Sequence, residues 1–321
     1  MNKYRISLLL SISLSCFVFY NVLGQNKVVF IILDGIPADV LETVNTPTLD
    51  QIAGQGGYTR AITGGEIGEV TESPTVSAVG YNNILTGTWA NKHNVWGNSI
   101  KNPNYEYWNI FRMASSDTML TTAIYSTWLD NRTKLLGEGL EEAGNIILDY
   151  SFDGFELDTA RFPHDSERKY IFEIDELVSI EAARHISDSG PDLAWIYLEF
   201  TDDMGHKFGD SREMANAVTL ADQQVGRIWK AINFRNARFK ENYLIIVTTD
   251  HGRDSETGKN HGGQSVRERT IWVVTNSSEL NGSFNNKTSH VDIVPSILKH
   301  LKLDVPQQVL DNLDGVSFIG N

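Results

Sequence analysis

Cysteine is nearly absent: among 321 residues the one cysteine is Cys16, inside the first 24. A chain that loses this segment has no thiol, which excludes disulfides, thiolate nucleophiles and Cys-ligated metals. Positive charge is also scarce. Against 41 Asp and Glu stand 27 Lys and Arg, a formal charge of −14. Such a chain repels nucleic-acid backbones, so polymeric nucleic acid is not an expected partner. An anionic small molecule would need local positive charge, and the sequence offers metal ligands for that purpose rather than a basic patch. Internal repeats and low-complexity linkers are missing as well.

What is present begins with an export signal. Lys3 and Arg5 precede an apolar run from Ile6 to Leu23, and Val22-Leu23-Gly24 offers a small-residue cleavage site before Gln25. The run is borderline in length for a span and is interrupted by serines, so cleavage is expected over an uncleaved anchor. Cys16 has no lipoprotein pattern before it, which argues against a lipid anchor. Removal of Lys3 and Arg5 takes the formal charge from −14 to −16. The mature protein is then exported, periplasmic or secreted, with no stable membrane insertion. Residues 25–321, with 41% apolar residues over the whole chain, can bury one large core.

Apolar runs of strand length alternate with helical patterns. Lys27 to Leu33, Met119 to Ser126, Leu193 to Phe200, Tyr243 to Thr249 and Thr270 to Thr275 are short and rich in β-branched or aromatic residues. They predict buried parallel strands. Helices are predicted over Ser166 to Ile186 and over Ser211 to Ile232, where Met214, Val218, Ala221, Val225, Ile228 and Ile232 share one face. The alternation predicts an α/β fold, a doubly wound, mostly parallel sheet with helices on both faces. The acidic run from Glu138 to Asp158 reads as a solvated face.

Ligands of such a sheet collect beyond the carboxyl ends of its strands. Asp34, Asp202 with His206, and Asp250 with His251 each follow a predicted strand, and His261 lies ten residues past His251. Imidazole and carboxylate are the ligands that zinc accepts where thiolate is lacking. The inventory suits two divalent ions about 3.5 to 4 Å apart, which together clamp an in-line displacement at phosphorus. Asp202 and His206 can serve one ion from a single turn, whereas Asp250-His251 could serve one ion or be divided between two. Each motif alone also has a plain reading as a cap or a turn. His93, His164, His185, His290 and His300 read as surface or core residues.

The nucleophile is expected in Thr71 to Asn98. Ser77 opens a helix that Thr86-Gly87 stops, and a helix start favours an oxyanion or a phosphate. Beside a metal, the Ser77 hydroxyl would need no histidine base.

Asp34-Gly35, Thr46-Pro47-Thr48-Leu49, Pro74-Thr75-x-Ser77, Thr86-Gly87, Asn98, Asp202-x-x-Gly205-His206, Asp250-His251-Gly252, His261-Gly262-Gly263 and the stretch Val291 to Leu298 occur in that order. The order resembles the alkaline phosphatase superfamily, and within it the type I phosphodiesterase and nucleotide pyrophosphatase branch. The resemblance implies one zinc on Asp202, His206 and His261, and another on Asp34, Asp250, His251 and Ser77, with manganese as an alternative ion. It implies that Asn98 helps bind a phosphate oxygen, and that its amide and the backbone after Ser77 form an oxyanion site. It implies a secreted hydrolase of a small phosphate ester, acting through a phosphoryl-serine intermediate.

Departures from the branch narrow the expectation. Its nucleophile is usually threonine followed by Phe-Pro-Asn-His, whereas Ser77 is followed by Ala78-Val79-Gly80-Tyr81. Tyr197 and Trp128 are the alternative stacking faces. The short gap between His251 and His261 predicts a reduced cap. Sulfatases place an arginine four residues after the nucleophile, where Tyr81 stands. Monoesterases need an extra cation, which Arg132 or Lys134 could supply. A diester is therefore expected, with a monoesterase or phosphonate hydrolase as the alternative, and a non-catalytic, metal-stabilised secreted binding protein as the alternative of another class.

Overall fold

The computed structural model describes residues 24–117 and 119–320. The expected export signal, residues 1–24, lies outside them except for Gly24. Seven strands form one sheet: β1 (Asn26–Leu33), β2 (Gly57–Ile62), β3 (Thr122–Ser126), β4 (Tyr150–Phe152), β5 (Leu193–Leu198), β6 (Asn242–Thr248) and β7 (Thr270–Thr275), in the order β2-β7-β6-β1-β5-β3-β4. Central β1 pairs parallel to both β5 and β6. Its side chains alternate between two cores. Val28, Phe30 and Ile32 face one, and Val29, Ile31 and Leu33 the other, as a strand covered on both faces requires. The helices Lys169–Asp188 and Arg212–Phe239 cover the second core, and Ser77–Thr86 and Ile293–Leu301 the first. The doubly wound, mostly parallel fold is the one expected.

Three expectations need correction. β7 is antiparallel to both β6 and β2. A parallel return needs a crossover of a dozen or more residues, usually a helix, to carry the chain back to the other edge. After β6 the chain stays at the carboxyl edge, where it places Asp250, His251 and His261, and re-enters the sheet through the short helix Val266–Arg269. Second, the acidic run is not simply solvated. It contains β4, and Asp149 accepts from Thr122 N at 2.7 Å while Glu156 accepts from Leu129 N at 2.6 Å. Third, the long helix continues past Ile232 to Phe239, its start capped by Ser211 Oγ, which accepts from Met214 N.

The described residues contain no helix long and apolar enough to cross a membrane.

Candidate active site

All of the expected ligands meet at one edge of the sheet. Asp34 follows β1, and its N–H donates to Leu198 O of β5 at 3.1 Å. Gly35 turns the chain at φ +64°, and a Cβ there would lie 2.4 Å from Asp202 Oδ1, so glycine alone permits this approach. Asp202 and His206 sit one turn apart on the helix Phe200–Phe208. Asp250 and His251 follow β6 and are fully buried.

Backbone carbonyls set the histidine tautomers. His251 Nδ1 donates to Gly252 O at 2.9 Å, and His261 Nδ1 donates to Thr75 O at 2.9 Å. Each ring therefore presents an Nε2 lone pair to the site. His251 Nε2 stands 3.2 Å from Asp250 Oδ2, 3.5 Å from Asp34 Oδ1 and 3.3 Å from Ser77 Oγ. His261 Nε2 is 3.0 Å from His206 Nε2, which is 3.2 Å from Asp202 Oδ2.

Whether a cation fits here can be judged from the donors. Asp34 Oδ1 and Asp250 Oδ2 are buried without a hydrogen-bond partner. Such orphaned acceptors are rare unless something positive completes them. Ligand atoms of Asp34, Asp250 and His251 lie within 4.8 Å of one another, and so do those of Asp202, His251 and His261. The donor set fits divalent ions of zinc type, with His251 between the two groups.

The charges agree. Burial, then the neighbouring Asp250 and Asp202, raise Asp34 well above the usual carboxylate range, and burial lifts Asp250 to about 7. Burial also opposes charge on Asp202, but Arg253 and His206 outweigh it and hold that carboxyl low. Burial drives His251 well below its ordinary value, so its imidazole is neutral. Without a cation Asp34 and Asp250 resist ionisation beside an imidazole, His251, that resists protonation.

Ser77 is the first residue of the helix Ser77–Thr86, with Val76 as its N-cap. It is buried, with its Oγ against His251. Asn98 is exposed, and its Oδ1 accepts from Ala78 N at 3.0 Å. The backbone half of the expected oxyanion site is thus already occupied by Asn98 itself.

Tyr197 is not a stacking face. It is 2% exposed, and its hydroxyl donates to Asp34 Oδ2 at 2.6 Å. Tyr81, four residues and so about one turn beyond Ser77, donates to the same oxygen. Trp128 is half-buried with its ring edge-on to Tyr81 at 6.3 Å, and it remains a candidate face. Both expected cations have carboxylate partners. Arg132 is bound to Asp153 and Glu138, and Lys134 to Asp130.

The structural roles of three residues escaped the sequence reading. Tyr81 had a signal in its four-residue spacing from Ser77. Thr75, whose Oγ1 donates to Gly263 O and accepts from Gly262 N, ties the approach to Ser77 to the His261 loop. Arg253, two residues past His251, is 1% exposed and reaches Asp202.

Residues 28–295 match the family model described as type I phosphodiesterase / nucleotide pyrophosphatase. Among curated proteins, human ectonucleotide pyrophosphatase/phosphodiesterase family member 5 is 25% identical over 237 residues, 71% of this chain and 45% of that protein. The 2,3-bisphosphoglycerate-independent phosphoglycerate mutase of Mycoplasma mobile is 31% identical over 112 residues, 35% of this chain and 20% of that protein. The chain thus spans less than half the length of these curated relatives. Among solved structures, murine ectonucleotide pyrophosphatase/phosphodiesterase 5 in complex with AMP superposes with a TM-score of 0.63 at 14% identity, covering 90% of this chain and 100% of that one. The phosphonate monoester hydrolase of Agrobacterium radiobacter gives 0.63 at 15% identity, covering 92% of this chain and 78% of that one.

Proposed function

Since the chain belongs to the type I phosphodiesterase / nucleotide pyrophosphatase family of the alkaline phosphatase superfamily, we propose that this phosphoester hydrolase is a two-zinc phosphodiesterase with Ser77 as nucleophile. The observation that carries the proposal is the convergence on Ser77 Oγ of the His251 Nε2 lone pair beside two orphaned carboxylate oxygens. Asp34, Asp250 and His251 would hold one divalent ion beside Ser77, and Asp202, His206 and His261 the other. When bound, the ions supply positive charge that lowers the pKa of the Ser77 hydroxyl and offsets charge on the phosphate.

The chain's own residues do the rest. Ser77 Oγ attacks phosphorus, the bond to the leaving oxygen breaks, and water later displaces the serine to restore the hydroxyl. Asn98, its Oδ1 fixed by Ala78 N–H, turns its Nδ2 donors to a non-bridging oxygen. Burial around His251 and Asp250 excludes water, while exposed His206 marks the open side where substrate enters.

A diester is favoured because Arg132 and Lys134 are already paired with carboxylates. No second ionised oxygen needs then to be matched. Residues 1–24 are read as a cleaved export signal, for which N-terminal sequencing of exported protein should give Gln25.

The test is a comparison of rates on bis(p-nitrophenyl) phosphate, p-nitrophenyl phosphate and the p-nitrophenyl ester of thymidine monophosphate, with and without chelator. The nucleotide ester is included because the murine relative's structure holds AMP. Faster diester cleavage, lost on chelation, is the expected result. Faster monoester cleavage would make the protein a phosphatase, and no turnover with two zinc ions bound would favour the non-catalytic binding protein.

A further inference from the structure

We propose that Arg253 is the positioning residue of the ligand group Asp202, His206 and His261, holding Asp202 in one orientation and clamping the loop that delivers His261. The proposal rests on reading that group as a metal site. Arg253 is 1% exposed, and a guanidinium so placed needs acceptors to offset its lost hydration. Its Nε donates to Gly35 O at 3.0 Å, Nη1 to Lys259 O at 3.1 Å, and Nη2 to Asp202 O at 2.7 Å and to Asp202 Oδ1. Four of its five N–H groups are thereby used.

The acceptors belong to three separate segments. Gly35 lies in the loop after β1, Asp202 in the first turn of the helix Phe200–Phe208, and Lys259 two residues before His261. One planar cation thus fastens the two segments that carry this ligand group to each other and to the loop that follows Asp34. The backbone makes room for it, since a Cβ on Gly205 would lie 2.2 Å from the guanidinium carbon and one on Gly35 2.7 Å from Nη2.

Two consequences follow for the ligands. With Oδ1 engaged by Arg253, Asp202 turns Oδ2 toward His206 Nε2 at 3.2 Å. The carboxylate is then held for single-oxygen ligation. The loop before His261 is anchored at Lys259 O and closed on itself by Asp254, which accepts from Thr257 N at 2.6 Å and Asn260 N at 2.7 Å. The carboxylates of the other ligand group do not touch Arg253: Asp34 accepts from Tyr81 and Tyr197, and Asp250 from Gly35 N–H. Lysine cannot replace Arg253, because a compact ammonium does not reach three carbonyls in one plane.

The test measures zinc affinity by competition with a chromophoric chelator, for wild type, Arg253→Lys, Arg253→Met and His206→Ala. The expected result is that both Arg253 variants bind one of the two ions ~10- to 100-fold more weakly and keep the other within about threefold. The weakened ion should be the one lost in His206→Ala, and Arg253→Lys/His206→Ala should bind the remaining ion as His206→Ala does. Urea unfolding of the zinc-free proteins identifies a purely structural role. Unchanged affinity for both ions, or equal weakening of both together with lower zinc-free stability, overturns the proposal. If Arg253→Met does not fold, Arg253→Lys decides alone. Should wild type cleave no phosphoester while Arg253→Lys still loosens one ion, the proposed function falls and the role of Arg253 stands.

Discussion

The backbone N–H of Ala78 donates to Oδ1 of Asn98 at 3.0 Å. Because an N–H can meet only the oxygen of an amide, this bond fixes which way the Asn98 side chain points. Its Nδ2 makes no hydrogen bond among the described residues, and the amide that holds its Oδ1 belongs to the residue after Ser77.

Asn98→Ala is therefore expected to lower kcat on a diester by ~10²- to 10³-fold, the usual loss for one removed oxyanion donor. Asn98→Asp keeps the acceptor for Ala78 but sets a negative oxygen where Nδ2 stood, and should lower kcat at least as far. Zinc content should not change in either. Wild-type kcat in Asn98→Ala would remove Asn98 from the reaction.

Ser77→Ala should fold, retain its zinc and lose turnover. In wild type, acid quenching during turnover should trap a phosphoryl group on the peptide containing Ser77. Retained turnover in the alanine variant would make another group, or water, the nucleophile.

Asp34 Oδ2 accepts from both Tyr81 and Tyr197. Burial raises both phenols well above 10, so they stay protonated and act as donors. Tyr81→Phe or Tyr197→Phe should each destabilise the zinc-free protein by ~0.5–1.5 kcal/mol, as expected for a hydrogen bond to an Asp34 carboxyl that burial keeps from ionising. Since both act on one oxygen, the double variant should differ from the sum. Simple additivity in urea unfolding would show that they act independently.

The tautomer of His93 makes stability depend on pH. Its Nδ1 accepts from Val95 N at 3.1 Å, so the proton is on Nε2, which donates to Asn83 Oδ1 at 2.8 Å. A second proton would displace the Val95 bond in a fully buried ring. Burial accordingly takes the pKa from 6.5 to about 3. Between these values the unfolded chain holds the extra proton and the folded one does not, so stability falls as pH falls, by ~1.4 kcal/mol per unit. From pH 6.5 to 5, zinc-free wild type should lose roughly 2 kcal/mol more than His93→Gln. Equal losses in urea unfolding would show that His93 is protonated in the fold.

The sequence by itself determined which residues are candidates for the chemistry. Metal ligation admits few residue types, and strands of a parallel sheet end at one edge, so Asp34, Asp202, His206, Asp250, His251 and His261 could be named as candidate ligands, and their meeting at one edge foreseen, from types and order alone. The helix Ser77–Thr86 was legible as well, since Gly87 in a left-handed conformation ends it as a local signal should. Only the tertiary structure decided what holds these groups. That Tyr197 lies beneath Asp34, that Arg132 is bound to Asp153 and Glu138, and that Arg253 joins Gly35, Asp202 and Lys259 depends on distant segments meeting. The same holds for β7, whose direction follows from a connection that never leaves the active-site edge. β2, half-exposed at the edge, and three-residue β4 carry too little apolar pattern to register in a sequence. Ligand identity is a property of single residues, whereas ligand orientation depends on contacts across the fold, and local sequence does not encode these.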